Sequence, residues 1–213
     1  MGMIEIKNAG KCINDVWIFR NVTASFSSGT ICGLIGRNGS GKTMLLKSIC
    51  GLCRLTEGSV SVSGKQLGKE IDIPDSLGAI IEIPGFLPNI SGFSNLKYLA
   101  KLRNRIDDDK IRQAIQMVGL DPNSRKHVGK FSLGMRQRLG IAQAIMEDPD
   151  ILLLDEPMNG LDQQGVNDIK SLLMKLRLQG KTIILASHHS EDIDELCDVV
   201  YKMEGGKISK VSA

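Results

Sequence analysis

The sequence predicts an α/β fold built around a parallel β-sheet. A glycine-rich loop, residues 36–43, lies between a strand-like segment at 31–35 and a segment with helical apolar spacing at 43–49. Helical and strand-like segments then alternate from Ser132 onward. Residues 151–154 are all apolar and leave no outward polar face. Parallel strands that are buried on both faces have this composition, so a doubly covered sheet is expected.

The first third of the chain is predicted to be rich in β-structure. Residues 3–6, 22–26 and 31–35 have the composition of strands, and residues 59–62 form a further one before a turn at 63–65. The helix predicted at 43–49 ends before Gly51, a residue type that commonly follows a helix. A strand, a glycine loop and a helix therefore follow one another directly.

The middle third, about residues 91–129, is predicted to be a helical insert. Its apolar residues recur at helical intervals; they are Leu96, Leu99, Ala100, Leu102, Ile111, Ala114, Ile115 and Val118. Three acidic residues in this region, 107–109, could in principle form a metal cluster, but carboxylates are also favoured at a helix start by its dipole. Beyond the insert we predict helices at 136–146 and 165–178 and strands at 151–154 and 182–186.

Composition limits the classes of function. The chain has 213 residues, 42% of them apolar and 24% charged, which fits one globular domain. Its net charge of +3 arises from 27 basic and 24 acidic residues spread along the chain, so a nucleic-acid partner is not expected. No apolar run approaches the roughly 18 to 20 residues of a membrane span. Together with the absence of a secretion signal, this predicts a cytoplasmic protein.

The cysteines predict reduced thiols. There are five, an odd number, in a chain without a predicted secretion signal. Cys50 and Cys53 have C-x-x-C spacing, which is also found in redox sites and in half of a zinc site. Because no second ligand pair occurs at zinc spacing, small buried apolar side chains are the favoured interpretation.

The glycine-rich loop carries the strongest motif in the chain. It matches G-x-x-x-x-G-K-[ST] with the residues Gly36, Arg37, Asn38, Gly39, Ser40, Gly41, Lys42 and Thr43. The glycines allow successive backbone N–H groups to converge on phosphate oxygens, and the following helix adds its positive end. Lys42 is predicted to bind the β- and γ-phosphates and Thr43 to ligate Mg²⁺. The loop therefore predicts nucleoside triphosphate binding.

Two acidic residues at the end of an apolar strand form the second motif. Asp155 and Glu156 follow residues 151–154, and buried strands seldom end in paired acids without a function. At the carboxyl end of a strand beside the loop, Asp155 would hold Mg²⁺ and Glu156 would act as general base toward the attacking water. The two motifs together predict a P-loop NTPase.

The sequence resembles the ATP-binding-cassette (ABC) family over essentially its full length, and three further segments are similar to motifs of that family. FSLGMRQR at 131–138 is similar to the family signature, NGLD at 159–162 to the D-loop, and SH at 187–188 to the switch-histidine segment. Ser132 and Gly134, at a predicted helix start, would also form a second anion site on physical grounds. His188 would contact the γ-phosphate and the catalytic carboxylate, with a buried structural histidine as the alternative. His127 and His189 are interpreted as surface residues.

The resemblance implies an architecture and an assembly. It implies an N-terminal antiparallel β-subdomain, a RecA-like parallel core and a helical subdomain at about 84–131, with the rest of the single ABC ATPase domain at 1–83 and 132–213. It also implies a head-to-tail dimer that binds ATP and Mg²⁺ between the loop of one subunit and the signature of the other. Ser132, Gly134 and Asp162 would contact nucleotide there, and a two-fold dimer would repeat each contact.

The sequence departs from the family pattern in three places. The signature has Leu133 and Met135 where the common form has glycine and glutamine, but it keeps Ser132 and Gly134. Glu82 lies where a glutamine is usual and retains an oxygen for Mg²⁺ or water, while adding negative charge. This glutamate and the following PGF segment resemble exporters of bacitracin and lantibiotics. Ile13 is found where a base-stacking aromatic is expected, so weak adenine selectivity or a substitute role for Trp17 is predicted.

The resemblance implies that separate transmembrane permease subunits are the partners. The chain would then be an ATPase peripheral on the inner face of the cell membrane, with a docking groove around Phe86, Leu87 and Tyr98. An importer subunit, a non-transport ABC ATPase and another kind of P-loop protein remain as alternatives. A non-transport ABC ATPase usually has a second cassette or a long coiled-coil insertion, neither of which is found in this chain.

Overall fold

The computed structural model describes residues 3–188, 193 and 195–211. One of its sheets is antiparallel, with the strand order β2-β1-β4-β5. Its strands are β1 (Ile4–Ile13), β2 (Val16–Phe26), β4 (Glu57–Val62) and β5 (Lys65–Gln66). The first two are longer than predicted from the sequence, because register shifts between Ile6 and Cys12 interrupt the alternation of apolar and polar residues.

The second sheet has the order β10-β9-β3-β8-β7-β6. All neighbours pair in parallel except β10 and β9, which are antiparallel. Its strands are β3 (Ile31–Ile35), β6 (Leu77–Ile80), β7 (Ile151–Asp155), β8 (Thr182–Ser187), β9 (Val199–Glu204) and β10 (Lys207–Val211). The predicted α/β class with a parallel core and an antiparallel β-subdomain is confirmed, although β5, β6, β9 and β10 were not predicted.

The helices cover the parallel sheet and supply the insert. They are α1 (Lys42–Ile49), α2 (Gly92–Arg103), α3 (Asp108–Met117), α4 (Leu133–Ile145) and α5 (Gln163–Leu178), with a 3₁₀ turn at Val128–Lys130. Side chains of Ser91, Asp107, Ser132 and Asp162 cap four of them. The capping interpretation of residues 107–109 is confirmed, because Asp107 caps α3. The described part of the chain contains no group of three or more His, Cys, Asp or Glu side chains placed to hold a metal ion.

Alternate residues of the parallel strands enter two different cores. Leu152 and Leu154 of β7 pack toward α2, α3, α4 and α5, whereas Ile151 and Leu153 pack toward α1 and the antiparallel sheet. Each central strand is thereby apolar on both faces, which explains the uninterrupted run at 151–154. No helix in the described ranges is long and apolar enough to cross a membrane.

Candidate nucleotide site

Chemically active side chains leave the carboxyl ends of four neighbouring strands. The glycine-rich loop follows β3, His188 follows β8, Asp155 and Glu156 lie at the end of β7, and Glu82 lies just beyond β6. Strands β3, β8, β7 and β6 are consecutive neighbours and run parallel. Their carboxyl ends therefore open on one edge of the sheet, where open α/β proteins bind ligands.

The glycine-rich loop holds its lysine close to its own backbone. Gly39 and Gly41 have φ values of 79° and 103°, in the left-handed region that favours glycine. Lys42 is only 6% exposed, and its Nζ donates to the carbonyl oxygen of Gly36 at 2.6 Å and of Arg37 at 3.3 Å. Its ammonium group is thus fixed within the loop, where it can attract an anion that enters.

The hydroxyl of Ser40 provides a test of whether this loop fits a phosphate. Its Oγ is buried and has no hydrogen-bond partner within the described part of the chain. Leaving such a group unpaired costs about 1–3 kcal/mol. A Cβ atom at Gly36 would lie 2.7 Å from this Oγ and 2.4 Å from the Met203 carbonyl oxygen, so only glycine fits there. A phosphate oxygen could accept the unused hydrogen bond, and the loop residues therefore fit a phosphate ligand.

Thr43 and Asp155 are 112 residues apart in sequence but are in direct contact. Thr43 Oγ1 donates to Asp155 Oδ2 at 2.7 Å. Burial raises the pKa of the Asp155 carboxyl above its ordinary value, and the hydrogen bond from Thr43 opposes this shift. A hydroxyl oxygen beside a carboxylate is a ligand set that Mg²⁺ prefers. A divalent cation bound there would favour the ionised carboxylate.

Glu156 is held by one contact to its carboxylate and by hydrogen bonds to its backbone N–H and carbonyl groups. Its Oε1 lies 2.8 Å from Nδ1 of His188, its N–H donates to the Ala186 carbonyl at 2.8 Å, and its carbonyl accepts from Nε2 of Gln137 at 3.1 Å. The Glu156 φ of 49° is left-handed, a strained conformation for a non-glycine residue. Together these three contacts orient the Glu156 carboxylate at the edge of the sheet. The predicted pairing of His188 with the acidic residue is present.

Gln137 was not predicted as a site residue. It belongs to α4, is 8% exposed and fixes the carbonyl of Glu156. Gln137 is part of the 131–138 motif, but the sequence predicts no role for it. Nothing in the sequence of a helix indicates which loop a glutamine side chain will reach.

Glu82 pairs with a lysine that was also not predicted. Its Oε1 lies 2.7 Å from Nζ of Lys47, on the helix that follows the glycine-rich loop. Its backbone lies beside the Asp155 carboxyl group and lowers the pKa of that group, and the Glu82 φ is 63°. The backbone of Glu82 therefore contacts the aspartate, while its carboxylate, 62% exposed, faces Lys47.

A cavity of about 730 Å³ opens beside the loop. Its walls are residues 35–40, His188 and the end of β9 at 202–205, so Arg37, Asn38 and Gly39 all line it. Ile13, predicted to stack on the base, ends β1 and is 39% exposed, and it does not line this cavity. The Arg20 guanidinium covers one face of the Trp17 ring at 4.3 Å, and Trp17 does not line this cavity either.

The signature and D-loop segments contact each other. A Cβ atom at Gly134 would lie 2.8 Å from the Gly160 carbonyl oxygen, and one at Gly160 would lie 2.5 Å from Leu133 Cγ. Ser132 Oγ accepts from the Met135 N–H at 3.1 Å, and Asp162 Oδ1 accepts from the Gly165 N–H at 2.8 Å. In this structure both side chains therefore cap helices, and a role toward nucleotide would be additional to that.

The remaining cysteine and histidine interpretations have simple outcomes. All five cysteines are thiols rather than disulfide sulfurs, as the odd count predicts. The Cys50 Sγ donates to the Lys47 carbonyl at 3.3 Å and the Cys53 Sγ to the Arg54 carbonyl at 3.7 Å. His127 is exposed, as predicted, and His189 lies outside the described residues.

Known proteins are similar to this chain in sequence and in fold. The ABC transporter family matches residues 19–159. The uncharacterized ABC transporter ATP-binding protein YybJ of Bacillus subtilis is 48% identical over 97% of this chain and 94% of its own length. The bacitracin transport ATP-binding protein BcrA of Enterococcus faecalis is 40% identical over 97% of this chain and 68% of its length. The lantibiotic transport ATP-binding protein SrtF of Streptococcus pyogenes is 34% identical over 97% of this chain and 89% of its own length.

A solved structure supports the same assignment at the level of fold. The dimeric structure of MJ0796, a bacterial ABC transporter cassette, aligns with a TM-score of 0.88 over 99% of this chain and all of that one, at 23% identity. The glycine-rich loop, the acidic strand end and the signature segment thus occur in a chain whose full-length relatives are ABC proteins. The chain belongs to the ABC transporter family, as an ATP-binding subunit of the subgroup related to bacitracin and lantibiotic transport ATPases.

Proposed function

We propose that this subunit hydrolyses Mg·ATP at the edge of the sheet formed by β3, β8, β7 and β6. Residues 36–43 bind the phosphates, Thr43 and Asp155 hold Mg²⁺, and Glu156 acts as general base. Mg²⁺, when bound, neutralises phosphate charge. The observation that supports this most directly is the 2.7 Å contact of Thr43 with Asp155, because it brings the two predicted metal ligands together.

The residues around Glu156 orient its carboxylate, and His188 is in contact with it. The His188 ring lies 2.8 Å from the carboxylate, and the backbone contacts to Ala186 and Gln137 fix the residue that carries it. A carboxylate held in this way can accept a proton from water without first reorienting. His188 orients the base, and the backbone of Glu82 lies beside the Asp155 carboxyl group.

We further propose that two subunits close head-to-tail around two ATP molecules. Ser132 and Gly134 at the start of α4, and Asp162 at the start of α5, would contact the nucleotide held by the partner's loop. The cassette structure with the similar fold is itself described as dimeric. In this proposal the chain is a single domain, with the helical subdomain at about 84–131 and the remainder at 1–83 and 132–213.

Transmembrane permease subunits are the proposed partners, with the ATPase on the cytoplasmic face of the membrane. The named relatives act in bacitracin and lantibiotic transport, so export of peptide or antibiotic-like substrates is the favoured reaction. A docking surface is available on the insert and the segment before it, where Ile83, Leu87, Tyr98 and Leu102 are 85%, 54%, 64% and 81% exposed. A short amphipathic helix of a permease fits such an apolar surface. An importer or a non-transport ABC ATPase is the alternative.

Substitution of Glu156 tests the proposed reaction. Glu156→Gln keeps the shape of the side chain but removes the base, so ATP turnover should fall about a thousandfold or more while ATP still binds. Trapped ATP should then stabilise the closed dimer, which size-exclusion chromatography with and without Mg·ATP would detect. Glu195→Gln, at a side chain that is 78% exposed, is the matched control. Normal turnover in Glu156→Gln would contradict the proposed base.

A further inference from the structure

Lys47 forms an ion pair with Glu82 at the border of the proposed nucleotide site. The distance from Nζ to Oε1 is 2.7 Å, with the Lys47 side chain 27% exposed and that of Glu82 62% exposed. The pair connects α1, which follows the phosphate-binding loop, with the segment that follows β6. It thus links two of the segments that meet at the carboxyl edge of the sheet.

The position of Lys47 on α1 brings its charge beside the metal ligands. Lys47 follows Thr43 by four residues, about one helical turn, so the two side chains lie on the same face of the helix. Thr43 contacts the Asp155 carboxylate, and the backbone of Glu82 lies beside the same carboxylate. Glu82 and Lys47 therefore border the same Thr43–Asp155 contact from opposite elements.

Lys47 offsets one of the negative charges at this edge, that of Glu82. Three carboxylates, those of Glu82, Asp155 and Glu156, lie at the edge of the sheet where the triphosphate is proposed to bind. Lys42 and Arg37 are the cations of the loop, and the Lys42 ammonium group is held by two carbonyl oxygens. The Glu82 side chain is 62% exposed, so its repulsion of a polyanion acts largely through solvent and is weakened by salt. An additional carboxylate at position 82 would therefore weaken nucleotide binding unless a cation offsets it.

We propose that Lys47 is a positioning residue that neutralises Glu82, holds its carboxylate on the α1 side of the site, and so permits tight binding of the triphosphate. This inference rests on the proposed function, because it concerns the same site. It explains how a glutamate can occupy position 82 in a site that has to bind a polyanion. An exposed ion pair of this kind contributes little to folding, so its loss should act on binding rather than on stability.

Equilibrium binding of a fluorescent N-methylanthraniloyl ATP to the purified full chain tests the inference without relying on turnover. Lys47→Met retains the aliphatic stem and removes the charge, and it should raise Kd by about threefold to tenfold in EDTA. The increase should be smaller with excess Mg²⁺ and should shrink when salt is raised from about 0.05 M to about 0.5 M. Lys47→Arg should bind like the unmodified protein. The double variant Lys47→Met/Glu82→Gln should recover to within about twofold.

The control is an ion pair of similar exposure in the helical insert. Lys97 and Asp108 are 2.5 Å apart with side chains 39% and 48% exposed, and Lys97→Met should leave Kd unchanged. Equal affinity of Lys47→Met and the unmodified protein would overturn the role of Lys47. Weakened binding that Glu82→Gln does not rescue would also overturn it, since Lys47 would then act independently of Glu82. Failure of the unmodified protein to bind the probe at all would instead contradict the proposed function.

Discussion

Nδ1 of His188 lies 2.8 Å from Oε1 of Glu156, although the two residues are 32 positions apart and leave different strands. Strands β7 and β8 are parallel neighbours, so their carboxyl ends bring the imidazole and the carboxylate together. Through this contact, His188 fixes the orientation of Glu156, the proposed base.

Removal of the His188 imidazole should therefore lower catalysis more than binding. We expect His188→Ala to reduce the kcat of ATP hydrolysis, measured as released phosphate, by about a hundredfold, because Glu156 loses its orienting partner. The Kd for ATP, measured by fluorescence titration, should change by no more than about threefold. His127→Ala, at an exposed histidine in the insert, should behave like the unmodified protein. A kcat that is unchanged in His188→Ala would exclude the orienting role.

The docking surface can be tested with a single apolar residue. The Leu87 backbone is clamped by the buried Asn95, whose Oδ1 accepts from the Leu87 N–H at 2.8 Å and whose Nδ2 donates to its carbonyl at 3.1 Å. Leu87→Asp should therefore leave the loop in place while making its exposed side chain charged. With the permease reconstituted in liposomes, we expect transport to be lost while basal ATP hydrolysis stays within about twofold.

Two substitutions frame that docking experiment. Leu178→Asp, at an 81% exposed leucine ending α5, should not affect transport. Phe86→Asp is less informative than Leu87→Asp, because Phe86 packs against the core and its replacement would also disturb folding. Normal transport by Leu87→Asp would argue against this surface as the permease contact.

Nucleotide selectivity should reflect the aliphatic residue at position 13. If Ile13 contacts the base, its side chain stacks less strongly than an aromatic ring, so ATP and GTP should be hydrolysed at similar rates. Ile13→Tyr should then tighten ATP binding by about fivefold, which corresponds to roughly 1 kcal/mol of stacking. Val16→Tyr, at the cross-strand partner of Ile13, is the matched control. A strong preference of the unmodified protein for ATP would contradict weak base discrimination.

The thiols should differ in reactivity according to burial. Burial raises the pKa of Cys32 and of Cys50, so at pH about 8 their thiolate fractions are below that of an exposed cysteine. Alkylation by iodoacetamide, followed by peptide mass spectrometry, should modify the partly exposed Cys12 and Cys53 first. In urea all of these cysteines should react at similar rates, and fast native labelling of Cys32 would contradict the expected protection.

The same shifts fix the sign of a pH effect on stability. The folded thiols of Cys32 and Cys50 release their protons at higher pH than the unfolded ones. Above the ordinary cysteine pKa, unfolding therefore releases protons, and the free energy of unfolding falls as pH rises. Urea titrations between pH about 7 and pH about 10 should show this decline, and Cys32→Ala should reduce it.

Two of the strands that the sequence did not predict, β6 and β10, share a physical cause. β6 is four residues long and contains Gly78, and β10, with the sequence KISKV, is an edge strand that is mostly exposed. Neither has a long apolar run or a complete buried face, and these are the signals from which strands are predicted. By contrast, β3 was predicted with its observed bounds, because it is apolar and directly precedes the glycine loop.

The sequence by itself determined the chemistry that is carried by contiguous residues. Residues 36–43 and the acidic pair at 155 and 156 are recognisable without a structure, because backbone amides, a lysine and a hydroxyl must follow one another at fixed spacing to bind phosphate and metal. Tertiary structure decided which distant side chains meet. Thr43 reaches Asp155, and Lys47 reaches Glu82, only because β3, β8, β7 and β6 are neighbours in an order that differs from their order in the chain.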